Sequence, residues 1–403
     1  MNRYRGDFPV LERRIGGRPV VYLDNACVSL RPTVVVDAIS RYYLEHPGCH
    51  GRTDHHFGRE TTRAIDQARR RVQRYIGAGH PEEIVFLRNT TEGINLIANT
   101  FPWRSGDAVL CSDVEHNSNL LPWQGLRHRG VEHRIFPTRP DTSFDMDAFR
   151  EHLDGTVKLV SVLHSSNLSG VTFPIGDIIR EAHRVGARVL VDAAQSMLHQ
   201  DIDVVALDAD FLVFSGHKVL GPSGTGVLYG KQDLLRSLPP FLRGGETVTD
   251  TTYHAATLAD IPDRFEAGLQ DDAGVIGLGA AVQYLMEVGK KAIRAETTAL
   301  NEAATAGLSG LDGALVIGPP EAAARGGILN FTLAGMNDGD LSRLLNENAN
   351  IMVRQGKHCV HSWYNARSLP GSVRASFSFY NSQDEVDLLV RTLRDLVRFF
   401  RVG

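Results

Sequence analysis

The chain has 403 residues, enough for about two to three domains at roughly 150 residues each. Hydrophobic residues make up 42% and charged residues 22%, ordinary globular usage that argues against global disorder. The 43 Lys+Arg and 47 Asp+Glu nearly cancel to −4, which excludes a basic nucleic-acid footprint. The four cysteines, Cys27, Cys49, Cys111 and Cys359, are too sparse for a secreted disulfide scaffold and point to a reducing compartment. The N-terminus lacks the apolar core of a signal peptide, and no stretch approaches the roughly 18 apolar residues that a membrane span needs. The expectation is a soluble, cytoplasmic protein.

From about Gly17 to Gly230, short apolar runs alternate with helical patterns. Strands are expected at 84–87, 108–111, 159–163, 189–191, 211–214 and 226–229, and helices at 61–76 and 175–185. The runs are continuous rather than alternating, as in a mostly parallel sheet covered by helices on both faces. This α/β pattern predicts a large domain over 16–269. From about Gly274 the helices lengthen, which predicts a smaller C-terminal α+β domain over 270–403, with 1–15 packing against it. Its last helix opens on the capping box Ser382-Gln383-Asp384-Glu385 and carries Val386, Leu389, Val390, Leu393, Val397 and Phe400 at helical spacing.

The chemistry-bearing segments follow strand ends, where open α/β sheets place ligands. Asn89-Thr90-Thr91-Glu92-Gly93 opens a helix after strand 84–87, reading either as ordinary capping or as a dianion cradle. Glu115-His116 and His164-Ser165-Ser166-Asn167 follow the next two strands; alone, each is a polar group of the kind that structure often uses. Val191-Asp192 ends a strand in a carboxylate, either a helix cap or the partner of a pyridine nitrogen. In Ser215-Gly216-His217-Lys218, the lysine is either surface or a desolvated amine able to form a Schiff base. The run Gly221-Pro222-Ser223-Gly224-Thr225-Gly226 fits no phosphate-loop spacing and reads as a tight turn. Cys49-His50 with Asp54-His55-His56 matches no standard zinc spacing, so no metal is expected.

Together with Leu23-Asp24-Asn25-Ala26, Pro122-Trp123-Gln124, Asp192-Ala193-Ala194-Gln195, Gly244-Gly245-Glu246, Arg264-Phe265-Glu266-Ala267-Gly268, Val353-Arg354-Gln355-Gly356-Lys357-His358-Cys359 and Arg374-Ala375-Ser376-Phe377, these segments run in a familiar order. The chain resembles, over nearly its whole length, the group II cysteine desulfurases. They form the cysteine desulfurase/selenocysteine lyase branch of the class V aminotransferases, which are fold-type I pyridoxal phosphate enzymes.

The resemblance implies Lys218 as the Schiff-base lysine, Asp192 as the pyridinium partner and Gln195 near the cofactor's phenolic oxygen. It implies that His116 stacks on the ring and moves protons, and that Thr90, Thr91, Ser215 and His217 hold the phosphate. Asn25, His50, Asn167 and Arg374 fall to the substrate, and Cys359 to the sulfur as a persulfide. A homodimer acting on an amino acid and passing sulfur to an acceptor protein, with no nucleic-acid or membrane partner, is expected on the same ground.

Lys357 and His358 would favour the Cys359 thiolate if their side chains approach the sulfur. The sequence departs from the family pattern at Lys357, at Leu269 where a threonine is usual, and around Asp54. Two other functions stay open: a C–S lyase without a persulfide, and a cofactor-less binding or metal protein on the same fold. Cys27 reads as a pocket thiol or a buried small hydrophobe, and Cys111 as core.

Overall fold

Seven strands make the central sheet of the computed structural model, which describes residues 3–401. They are β1 (Ile84–Leu87), β2 (Ala108–Ser112), β3 (Glu132–Phe136), β4 (Val157–Leu163), β5 (Arg188–Asp192), β6 (Phe211–Ser215) and β7 (Gly226–Gly230). Their spatial order is β1-β7-β6-β5-β4-β2-β3. β7 runs antiparallel to both neighbours, and all other pairs are parallel. The fold is α/β with a mostly parallel sheet, as expected.

Burial on both faces explains the continuous apolar runs. In β1, Ile84 and Phe86 enter one core while Val85 and Leu87 enter the other. β6 divides the same way, with Leu212 and Phe214 against Phe211 and Val213. One face is covered by α1 (Thr33–Glu45), α2 (His56–Ile76), α4 (Ile175–Arg184) and α5 (Asp272–Val288), and the other by α3 (Thr90–Thr100) and the turns around Trp123. Strand β3 lies at the sheet edge with mixed exposure, and for that reason lacks the apolar run that marks the others. Helix α2 begins five residues before the expected 61 because His55 caps it, its Nδ1 accepting from Gly58 N at 3.2 Å.

A second sheet of four strands, β8 (Ala314–Ile317), β9 (Ile328–Leu333), β10 (Arg354–Gly356) and β11 (Ser372–Ser376), has the order β8-β9-β11-β10. Helices α6 (Lys290–Ser309), α7 (Asp338–Ala349) and α8 (Gln383–Arg401) pack on it through Leu300, Leu345, Leu389 and Leu393. The capping box is formed: Ser382 Oγ accepts from Glu385 N, and Glu385 Oε2 from Ser382 N.

We propose a two-unit division close to 16–269 and 270–403, with 1–15 as an N-terminal segment; residues 1, 2, 402 and 403 lie outside the described ones. Two features shift its edges. Helix α5 packs on α1 and α2, burying Leu278, Val282 and Leu285 in the large core, so the long helices begin before the second unit does. Val21–Tyr22 pairs with Ile351–Met352, so this stretch of the large domain's N-terminal segment sits on the small one. Phe8 joins the large-unit core beside Tyr284, Phe379 and Tyr380.

Candidate active site

The C-terminal ends of β1, β2, β4, β5 and β6 meet the loop 24–29 and the turn 356–359 around a cavity of about 260 Å³. Its walls include Thr90, Thr91, His116, Asn167, Asp192, Gln195, Ser215, His217, Lys218, Cys359 and Arg374. All expected catalytic and cofactor residues are thereby brought together, with two of the four expected substrate residues.

On one side, Thr90 opens α3 and donates its N–H to Ser215 Oγ at 2.9 Å, while the two hydroxyls lie 2.7 Å apart. Thr91 Oγ1 is 2.7 Å from Ser118 Oγ. Asn89 caps the helix, accepting from Glu92 N at 3.0 Å. Gly226 permits this arrangement, because a Cβ there would lie 2.6 Å from Asn89 Cα. Hydroxyls clustered at a helix N-terminus, at the positive end of its dipole, fit a phosphate dianion. The capping and cradle readings of this segment are therefore compatible.

On the floor, Asp192 accepts from Ala194 N at 2.9 Å. Burial raises its pKa, opposed by that hydrogen bond and by Lys218. Burial lowers the Lys218 pKa, with Asp192 opposing and Arg374 adding to the fall. A carboxylate and a desolvated amine in one cavity suit a ring nitrogen and an aldehyde, the two reactive points of pyridoxal phosphate. Gln195 donates Nε2 to Ala26 O at 2.7 Å. The residues present therefore fit that cofactor.

His116 is neutral: burial first, then Lys218 and Arg374, lower its pKa to about 3. Its Nδ1 accepts from Ser118 N at 3.0 Å, which assigns the ring proton to Nε2. Beneath it, the fully buried Glu115 accepts from Ser112 Oγ, Asn119 Nδ2 and Leu163 N. Burial pushes its pKa up to about 8. Two of its partners, Ser112 and Asn119, are local in sequence, and the third, Leu163 N, ties it to the neighbouring strand β4.

The roof carries the sulfur side. His358 and Cys359 both have left-handed backbone, φ +48° and +60°, which turns the loop sharply over the cavity. Asn167 Nδ2 donates to His358 O at 2.7 Å, and Asn117 N to Cys359 O at 2.7 Å. Asn167 thus spends its amide on this turn. Arg374 donates to Asn167 O at 2.8 Å and reaches Asp24 at 3.4 Å, and its buried Nε has no partner among the described residues.

Three expectations need correction. Neither neighbour supplies charge to Cys359: Lys357 Nζ bonds Asn365 Oδ1 at 2.6 Å, and His358 Nε2 bonds Ser372 Oγ at 2.9 Å. Burial holds His358 neutral, far below its usual pKa. Asn25 does not line the cavity; its amide binds Ser376 O and Asn381, and Tyr380 donates to its oxygen, so it fixes the 24–29 loop instead. His50 lies outside as well, its Nδ1 2.7 Å from Asp272. Conversely, Arg354 and Cys27 both line the cavity. Among the described residues no His/Cys/Asp/Glu group has metal-holding geometry.

The aminotransferase class-V family model matches residues 21–389. The cysteine desulfurase of Dickeya dadantii is 40% identical over 99% of this chain and 97% of its own. The apo cysteine desulfurase of Thermococcus onnurineus superposes with a TM-score of 0.93 at 34% identity, covering 98% and 97% of the two chains. Escherichia coli cysteine desulfurase CsdA, in its S-sulfonic acid form, gives 0.91 at 32% over 99% and 98%.

Proposed function

We infer the activity from one premise: the chain belongs to the class-V aminotransferase family. It is a pyridoxal phosphate-dependent cysteine desulfurase, and its substrate is L-cysteine, leaving as L-alanine. The observation that carries the assignment of residues is the convergence of Lys218, Asp192, Arg374 and Cys359 on one cavity.

When bound, pyridoxal phosphate supplies an aldehyde for the substrate amine and a ring that takes up the electron pair released at the α-carbon. Thr90, Thr91, Ser215 and His217 would hold its phosphate, Asp192 would keep the ring nitrogen protonated, and Gln195 and the neutral His116 would serve its phenolic oxygen and its ring. Lys218 would hold the aldehyde, and its Nζ would take the α-proton of the substrate; burial lowers its pKa, which favours the neutral amine that a base requires. Arg374 offers its unpartnered Nε to the substrate carboxylate. The Cys359 thiolate attacks the substrate sulfur; the new S–S bond forms as the C–S bond breaks, leaving a persulfide on Cys359.

A homodimer is part of the proposal, supported by the exposed apolar side chains of Leu44, Phe57 and Leu269; a monomer in sedimentation would refute it. No described helix is long and apolar enough to cross a membrane, and reduced thiols suit a cytoplasmic setting, with a sulfur-acceptor protein as second substrate. The deciding experiment compares products from L-cysteine by wild type and Cys359→Ser. Alanine and enzyme-bound persulfide should form in the first and persulfide disappear in the second. Undiminished sulfur release by Cys359→Ser would instead leave a C–S lyase.

A further inference from the structure

Strands β10 and β11 place Arg354 directly opposite Arg374, and both side chains line the active-site cavity. Two like charges at one cross-strand position destabilise a sheet unless anions face them. Arg374 has Asp24 at 3.4 Å. The Asp24 carboxylate faces Arg354 as well and accepts from the Cys27 thiol, whose Sγ lies 3.0 Å from Arg354 Nη1.

Cys27 is not loosely placed. Its N–H donates to Asp24 O at 3.1 Å, and Ser29, two residues on, donates N–H and Oγ to His217 O at 2.9 and 3.0 Å. The thiol is therefore fixed to the same loop that carries Lys218. Cys359 borders the same cavity, so two half-buried free thiols face one space. The unpartnered, buried Nε of Arg374 belongs to its walls as well, leaving the roof with a donor for an anion.

We propose that Cys27 is a second sulfur carrier, receiving the sulfane sulfur from Cys359 with Arg354 balancing its charge. The inference rests on the desulfurase reading and adds a step to it. Cys27 Sγ attacks the terminal sulfur of the Cys359 persulfide. A bond forms between Cys27 Sγ and that sulfur, and the bond to Cys359 Sγ breaks. Cys359 leaves with the electron pair and takes up the proton that Cys27 gives away. No oxidant or reductant enters. Cys359 is thereby free to accept a second sulfur before an acceptor protein arrives.

The test uses the holoenzyme with L-cysteine and no thiol reductant, following the alanine burst and the persulfide positions by alkylation and peptide mass. Wild type should release about two alanines per active site before stalling and carry sulfur on both peptides. Cys27→Ala and Cys27→Ser should each stop at about one, a twofold loss, with sulfur on Cys359 alone. Arg354→Gln should also lower the sulfur found on Cys27. A single-alanine burst in wild type with no persulfide on Cys27 would overturn the relay. So would sulfur on Cys27 in Cys359→Ser, because the order of transfer would be wrong. If no variant and no wild type makes alanine, it is the desulfurase reading that fails, a result distinct from both.

Discussion

Glu115→Gln isolates a buried proton beneath the active site. Glu115 is 0% exposed, and burial, with a smaller push from Asp192, raises its pKa from 4.5 to about 8. The folded state thus holds this proton more tightly than the unfolded chain. The resulting stabilisation is complete below about pH 4.5 and is lost as pH rises through about 8. At about 1.4 kcal/mol per unit, the shift amounts to at most about 4–5 kcal/mol across that window. Buried histidines act in the opposite direction over part of the same range: burial lowers His116 to about 3 and His133, His164, His199 and His217 to about 4, so stability drops as pH falls below 6.5, equally in wild type and in a Glu115 variant.

Glutamine keeps the shape but cannot ionise. The stability difference between wild type and Glu115→Gln, taken from urea midpoints between pH 5 and pH 9, should shrink as pH rises, because the histidines are common to both proteins and cancel. Near pH 5 the variant should be the less stable by about 1–3 kcal/mol, because its amide faces the Asn119 Nδ2 donor at what was a 2.7 Å hydrogen bond. The gap should then narrow toward pH 9. Parallel profiles for the two proteins would show that Glu115 is ionised throughout, and the argument from burial would fail.

Two further substitutions probe the roof. Arg374→Lys keeps the charge but loses the guanidinium fork, and should lower kcat/KM for L-cysteine by about 10–100-fold, mainly through KM; an unchanged KM would remove Arg374 from carboxylate binding. Lys357→Ala should alter the alanine-forming rate by less than about twofold, since its Nζ is held by Asn365 and does not meet the sulfur. A larger loss that Lys357→Arg restores would return the thiolate-activating role to this residue.

These contrasts follow from what sequence adjacency can and cannot carry. Strands β1, β2, β4, β5 and β6 were legible because a sheet covered on both faces needs unbroken apolar runs, whereas the edge strand β3, with Glu132 exposed and His133 and Arg134 half-buried, has none. Thr90, His116, Asp192 and Lys218 were legible for a related reason. Each follows the end of a strand within a few residues, so a parallel sheet gathers them at one edge whatever else the chain does.

The roof obeys no such rule. Arg354 meets Arg374 through the register of two antiparallel strands, and meets Cys27 across 327 positions. Nor do neighbours in sequence become neighbours in space there: Lys357 and His358 flank Cys359 in the chain, yet the left-handed turn sends one to Asn365 and the other to Ser372. Asn25 illustrates the same separation, next in sequence to Ala26 on the cavity wall yet committed to Ser376 and Asn381. Arg354, from the motif that precedes Cys359, faces not that sulfur but the sulfur of Cys27, far away in the chain. For that reason the sulfur-handling side of the site, unlike its cofactor side, had to be read from tertiary contacts.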